Sequence, residues 1–279
     1  MATKISFDKK LGIGTNSIDL PVDSIFDVTS WALGGQDDYL RNNNTFDTLV
    51  ADDSSVSPSG AKWSISLWLK VPEVEAGVSK IIYFISNGAN ENQEITRLRY
   101  IGNGQLRARI KGYANNWTYS AAGAITPNVW HHITVVYDST INRYSRLKIY
   151  HNASTAGNLS NFYRAIHGES TSLFLGVTNE MGSPAGFYEG NINEFAMWYG
   201  TALDQDEVSR IYNSGGPAKD LENTVDLPVP THYFRSENAI WNPSDPADEH
   251  YTVIDNMGTG KTIRTKNMPQ SSIVDEVPT

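Results

Sequence analysis

Between residues 95 and 113 the sequence alternates cation with apolar residue. Arg97, Arg99, Arg107, Arg109 and Lys111 interleave with Leu98, Tyr100, Leu106, Ala108 and Ile110. Cations in a row attract carboxylates, sulfates or phosphates, arginine through a planar fork of donors. Immediately after, Tyr113-Ala114-Asn115-Asn116-Trp117-Thr118-Tyr119 sets three rings beside two carboxamides. That composition suits stacking on a sugar ring and hydrogen bonding to its hydroxyls. The local sequence patterns of the familiar hydrolases are missing, although a triad of distant Ser, His and Asp would leave no such pattern. Glycoside hydrolysis takes two carboxylates flanking the scissile bond, yet no E-x-D-x-E alternation occurs. Glu73-Val74-Glu75 adjoins Pro72, and Asn90-Glu91-Asn92-Gln93-Glu94 has no partner spacing. A nucleophile elbow G-x-S-x-G is absent too. Met257-Gly258-Thr259-Gly260-Lys261-Thr262 has Asp255 where a phosphate loop needs its first glycine, so it reads as a turn. The adjacent His131 and His132 point to opposite faces of a strand and cannot ligate one ion together. The chain is expected to bind rather than to catalyse.

The elements that hold these residues read as strands. Trp63–Leu69 and Trp130–Tyr137 alternate with period two, and further candidates cover 79–86, 95–101, 105–113, 146–151, 171–177 and 192–199. Many short strands separated by Gly, Asn, Ser and Pro clusters predict an antiparallel sandwich. Within it, a three-residue Gly102-Asn103-Gly104 loop sets Arg99 opposite Arg107 and Arg97 opposite Arg109, with every apolar residue on the other face. A two-residue loop would set Arg99 opposite Ala108 and mix the faces, so the pattern selects the longer one. One helix is expected over Asp204–Asn213, with Asp204 and Glu207 forming a capping box and Gly215-Gly216-Pro217 stopping it. A single helix in such a protein reads as a plug over a sheet edge or a sandwich end.

The chain has 279 residues, no cysteine and a net charge of −9. The missing cysteines exclude a disulfide scaffold, a thiol nucleophile and a zinc site with thiolate ligands. No apolar run is long enough to span a bilayer, and the opening MATKISFDKK lacks a secretory leader. Folding in a cytosol is expected. Charge is segregated: residues 95–168 hold nine Lys/Arg against the single acid Asp138, and the remainder holds thirteen against thirty. Such asymmetry points to complementary surfaces, within the chain or between copies. Nucleic acid is disfavoured by the overall negative charge.

Several stretches in order resemble the LamG-like (concanavalin A-like) jelly-roll family. They are Gly35–Leu40, Trp63–Lys70, Asn128–Asp138, Leu147–Asn152, Leu173–Gly176, and Phe187–Phe195 running on to Ala202-Leu203 and Asp206–Val208. The resemblance implies an all-β, two-sheet antiparallel jelly-roll sandwich over 30–216, with one short helix. Residues 1–29 are then expected as an N-terminal arm, and 217–279 as a C-terminal extension packed on the sandwich or on a neighbour. Relatives bind carbohydrate or protein, and often occur in extracellular proteins and in bacteriophage structural proteins. The run from Tyr251 to Pro278 resembles the closing segment of marine phage proteins of this family. Two functions are therefore expected: a non-enzymatic virion structural or decoration protein, or a carbohydrate-binding adhesin, with a glycan hydrolase ranked behind both. The expected partners are other virion proteins, further copies and a surface glycan, with no nucleic acid and no membrane. Glycan contact is expected from Tyr113, Asn115, Asn116, Trp117 and Tyr119 together with the basic face. The one cofactor implied is calcium, at positions matching the family's acids: Asp37, Asp38 and Glu194. Asn193 stands where relatives carry an aspartate, which removes one charge from such a site.

Overall fold

A computed structural model describes residues 29–42, 53–54, 57–58, 60–74, 76–86, 94–110, 116–142, 144–158, 172–180, 183–245 and 250–278. Among these residues two antiparallel sheets face each other. The first contains β1 (Ser30–Gly34), β5 (Lys62–Lys70), β10 (His131–Asp138), β11 (Leu147–His151), β12 (Ser154–Asn158), β16 (Glu189–Tyr199), β17 (His232–Phe234) and β21 (Ile273–Val274). Its order is β12-β11-β10-β5-β16-β1-β21, with β17 also paired to β16. The second contains β2 (Tyr39–Asn42), β6 (Ser79–Ser86), β7 (Glu94–Ile101), β8 (Gln105–Ile110), β9 (Asn116–Tyr119), β13 (Ser172–Leu175), β18 (Ala239–Trp241), β19 (Tyr251–Ile254) and β20 (Thr262–Lys266). It runs β18-β19-β20-β2-β13-β6-β7-β8-β9. Two short hairpins complete the described strands: β3 (Asp53–Ser54) with β4 (Ser57–Pro58), and β14 (Thr178–Glu180) with β15 (Ser183–Ala185).

The inner faces are the apolar halves of the alternating strands. Ile65, Leu67 and Leu69 on β5, and Val135 and Tyr137 on β10, meet Ile82 and Ile85 on β6, Leu98 on β7 and Leu106 on β8, all buried in one cluster. Burial of such side chains contributes roughly 1.5–3 kcal/mol each, which drives the two sheets together. A cross-strand row on the outer face of the second sheet then follows from the pairing. Arg264 lies opposite Arg41, Arg41 opposite Phe174, Phe174 opposite Phe84, Phe84 opposite Arg97, Arg97 opposite Arg109, and Arg109 opposite Trp117.

The outer face of the first sheet is covered. Helix α1 (Gln205–Tyr212) presents Val208 and Ile211 to Val136, Tyr150, Ala196 and Trp198, with Leu203, Leu221 and Leu227 filling around them. Its capping box is the expected one: Asp204 accepts from the Glu207 N–H at 2.8 Å, and Glu207 accepts from the Asp204 N–H at 2.8 Å. The helix lies over a sheet face instead of plugging an edge or an end, because the apolar outer residues of β10, β11 and β16 require a cover there. No helix among the described residues is long and apolar enough to cross a membrane.

Residues beyond 217 are woven into both sheets. β17 extends the pairing of β16 beyond β1, and β21 pairs with β1. β20 pairs with β2 and carries β19 and β18 outward.

Candidate functional site

The β7–β8 hairpin has the register that the alternation predicts, with Arg97 opposite Arg109 and Arg99 opposite Arg107. Its loop is Gly102-Asn103-Gly104, closed by the Gly104 N–H on the Ile101 carbonyl at 2.8 Å. Gly104 adopts φ +70°, and a Cβ there would lie 2.5 Å from the Ile125 carbonyl oxygen. The loop packs there because Asn103 accepts from the Gly123 N–H and Gly104 from the Ile125 N–H, at 2.7 and 2.9 Å.

Like charges directly opposite one another are destabilising, so the hairpin must hold its arginines by other means. Glu94, buried at the start of β7, lies 3.5 Å from Arg97 Nε and 3.7 Å from Arg109 Nε. Its i,i+3 spacing to Arg97 was the available sequence signal, but the run from Asn90 to Glu94 shows no pattern that links Glu94 to Arg109. Trp117, opposite Arg109 on β9, supplies a π face: the guanidinium carbons of Arg97, Arg99 and Arg109 stand 5.3, 4.5 and 5.3 Å from its ring centroid. Arg107 stands 5.1 Å from the Tyr119 ring. Such contacts contribute about 0.5–1 kcal/mol each at exposed positions. Arg99 also donates from Nη1 to Ser79 Oγ at 3.3 Å, while its buried Nε has no hydrogen-bond partner among the described residues. Burial, reinforced by Arg97, Arg107 and Arg109 and opposed by Glu94, lowers the Arg99 pKa. The result is a cationic cluster with Arg97 buried and Arg99, Arg107 and Arg109 partly buried, edged by aromatic rings of which Tyr119 is 42% exposed. It can take a planar anion on its guanidinium forks and a sugar face on its rings.

Trp117 lies in strand β9, where Thr118 alternates inward to a fully buried position while Trp117 and Tyr119 face out. Asn116 opens the same strand opposite Ile110. Lys111, Tyr113 and Asn115 lie outside the described residues.

The three acids expected around calcium are not brought together. Asp38 accepts from the Gly34 N–H at 2.8 Å in a turn after β1, and burial, with Asp37 beside it, raises its pKa despite that bond. The Asp37 carbonyl accepts from Asn267 Nδ2 at 3.2 Å. Glu194 lies five residues along β16 from Glu189, which pairs with Gly34, a run of about 17 Å. There it accepts from Arg235 Nε at 3.0 Å. Asn193 and Glu194 form a bulge in β16, with Glu194 at φ +52° and its N–H donating to Asn193 Oδ1 at 2.9 Å. The bulge accounts for these two residues without a metal. Among the described residues no group of three or more His, Cys, Asp or Glu is placed to hold a metal ion.

Other reactive pairs serve the fold. Ser66 Oγ and His132 Nε2 lie 2.7 Å apart, but both residues are buried, with the Tyr212 ring stacked over His132. His132 Nδ1 has no hydrogen-bond partner among the described residues to orient it, and burial pushes its pKa down to about 3. His131 turns to the other face and lies 2.8 Å from His151 Nε2. The 257–260 segment is the expected turn: buried Asp255 accepts from the Met257 N–H, the Thr259 hydroxyl and the Tyr233 N–H, and lies 2.6 Å from His232 Nδ1.

A two-sheet antiparallel sandwich whose second sheet carries a cationic and aromatic cluster on its outer face has the architecture of a jelly roll. Residues 41–209 match the family model described as the concanavalin A-like lectin/glucanases superfamily, and the chain belongs to that superfamily. Among solved structures it is similar to a heptameric SAP-like pentraxin from Limulus polyphemus, at 17% identity and a TM-score of 0.50, covering 67% of this chain and 82% of the pentraxin. It is also similar to a sialidase CBM40 from Ruminococcus gnavus bound to α2,3-sialyllactose, at 15% identity and a TM-score of 0.46, covering 61% of this chain and 96% of that one. Comparison with curated proteins gives no match.

Proposed function

We propose that the chain is a non-catalytic binding module for an anionic glycan, recognised on the outer face of β7, β8 and β9. The observation that carries this reading is the Trp117 ring, with three guanidinium carbons within 5.3 Å of its centroid. Arg97 and Arg109 flank the buried acid Glu94 at 3.5 and 3.7 Å, and Arg99 and Arg107 form a second directly opposed pair beside them. An arriving carboxylate or sulfate relieves their repulsion, while Trp117 and Tyr119 offer faces to neutral sugar carbons. Membership of a superfamily named for lectins and glucanases supports a sugar as the ligand. The absence of an E-x-D-x-E alternation supports binding without hydrolysis. A panel of neutral, carboxylated and sulfated glycans tests the reading with wild type and Trp117→Ala. Retention of the anionic members by wild type and loss of at least 10-fold affinity in the variant are expected. Equal binding by the two proteins removes this surface from the account.

The setting we propose is the surface of a bacteriophage particle, where such a module serves as a structural or decoration protein. Support comes from the resemblance of residues 251–278 to the closing segment of marine phage proteins. Quantitative mass spectrometry of purified particles from the source culture is expected to find many copies of the chain. Its absence from particles leaves a lectin with no virion role.

A further inference from the structure

The outer face of the second sheet carries a second cationic cluster. Arg41 on β2 and Arg264 on β20 are directly opposed, and Lys266 lies opposite Tyr39 one row further along. Arg264 Nη1 lies 3.8 Å from Asp245, with the arginine side chain 32% exposed. This cluster belongs to the same cross-strand row as Arg97, Arg109 and Trp117. The two arginine pairs are four inter-strand steps apart, centre to centre, or about 19 Å. Between them the row holds only Phe174 and Phe84. That apolar middle is buried, with Val177 and Phe187 packed in the same cluster.

We propose that Arg41, Arg264 and Lys266 form a second anion subsite, and that the ligand is an extended polysaccharide whose charged sugars are separated by neutral ones. The inference rests on the anionic-glycan reading of the first cluster. Spacing decides the class of chain. One strand of a nucleic-acid duplex carries a phosphate about every 3.4 Å of axis and would crowd several anions between the two clusters, where the row offers no cation. The protein's net charge of −9 adds long-range repulsion against so dense a polyanion. A polysaccharide with a carboxylate on every second sugar reaches both clusters with far fewer anions between them. Two subsites engaged by one chain gain through effective concentration, and that gain appears only when the chain spans the gap.

The test uses the full chain and a ladder of hyaluronan oligosaccharides, in which uronate and neutral sugar alternate, with affinity measured against length. Short oligosaccharides are expected to bind wild type and an Arg41→Gln/Arg264→Gln variant equally. Oligosaccharides long enough to span both clusters are expected to bind wild type about 100-fold more tightly, and the double variant without that gain. Lys266→Gln, which leaves both arginines in place, is the second variant and should reduce the gain in part, with an unchanged melting temperature. Affinity independent of length, or short oligosaccharides equally weakened by the double variant, overturns the second subsite while leaving the first standing. No binding at any length, with Trp117→Ala indistinguishable from wild type, overturns both. A single-stranded oligonucleotide competing as well as hyaluronan also overturns the proposed ligand class.

Discussion

Glu94 holds the arginine surface together at the scale of single residues. It is buried, and the Nε atoms of Arg97 and Arg109 flank it at 3.5 and 3.7 Å. Removing one partner of a buried ionic cluster leaves the others uncompensated, at about 3–5 kcal/mol. Glu94→Gln is expected to lose about that much in urea denaturation. A loss under ~1 kcal/mol would show that the arginines need no carboxylate between them. His132 supplies a pH signature. Burial, then His151, pushes its pKa down to about 3 from 6.5, so the unfolded chain takes up the proton first as pH falls. Stability from this group is complete above 6.5 and is lost toward 3, with about 2 kcal/mol gone by pH 5. Denaturation at pH 6.5 and at about pH 5 checks this, and His132→Asn should remove that part of the difference. A wild-type stability flat across the window contradicts it. At this scale the sequence revealed the arginine pairs, because alternation and loop length together permit one register. Glu94 was hidden because its pairing with Arg109 runs through a strand junction that no spacing rule describes. The partner of Glu194 was hidden for a related reason: Arg235 is distant in sequence, and only the fold brings a cation to that carboxylate.

Among the elements, β9 decides whether the site exists, since it carries Trp117 and Tyr119. Its far side is braced by β12 at Gly157, where an added Cβ would lie 2.4 Å from the Tyr119 carbonyl oxygen. Gly157→Ala therefore forces the two strands apart, at about 1–3 kcal/mol. A lower melting temperature and weakened glycan affinity are expected together, because the displaced strand is the one that presents the rings. Lower stability with unchanged affinity would separate β9 from the site. The long strands β5, β6, β7, β10 and β16 were legible as alternating runs. β1, β2, β9 and β17–β21 have only two to five residues each, too few for a period to declare itself. The capping box placed α1 within a residue at each end, yet its position over the first sheet depended on outer-face residues such as Trp198 and Tyr150, whose face sequence alone did not assign.

The whole molecule depends on strands from both ends of the described chain. β1 lies between β16 and β21, and β2 lies between β13 and β20, so each sheet interleaves early and late segments. A chain ending at Gly216 loses β17–β21 and Arg235. It is expected to give no cooperative unfolding transition and no native near-UV dichroism; a native spectrum from that chain would make the late strands dispensable. Charge is divided on the same scale. A protein of net charge −9 gathers Arg97, Arg99, Arg107 and Arg109 on one face, and the account rests on that face meeting an anion. The measurement that tests this most directly is titration calorimetry with a uronic-acid oligosaccharide and its carboxyl-reduced twin, which differ only in charge. The account predicts that wild type binds the acid, that the reduced sugar binds at least 10-fold more weakly, and that added salt narrows the difference. Equal affinity for the two sugars, or a preference for the reduced one, would contradict it.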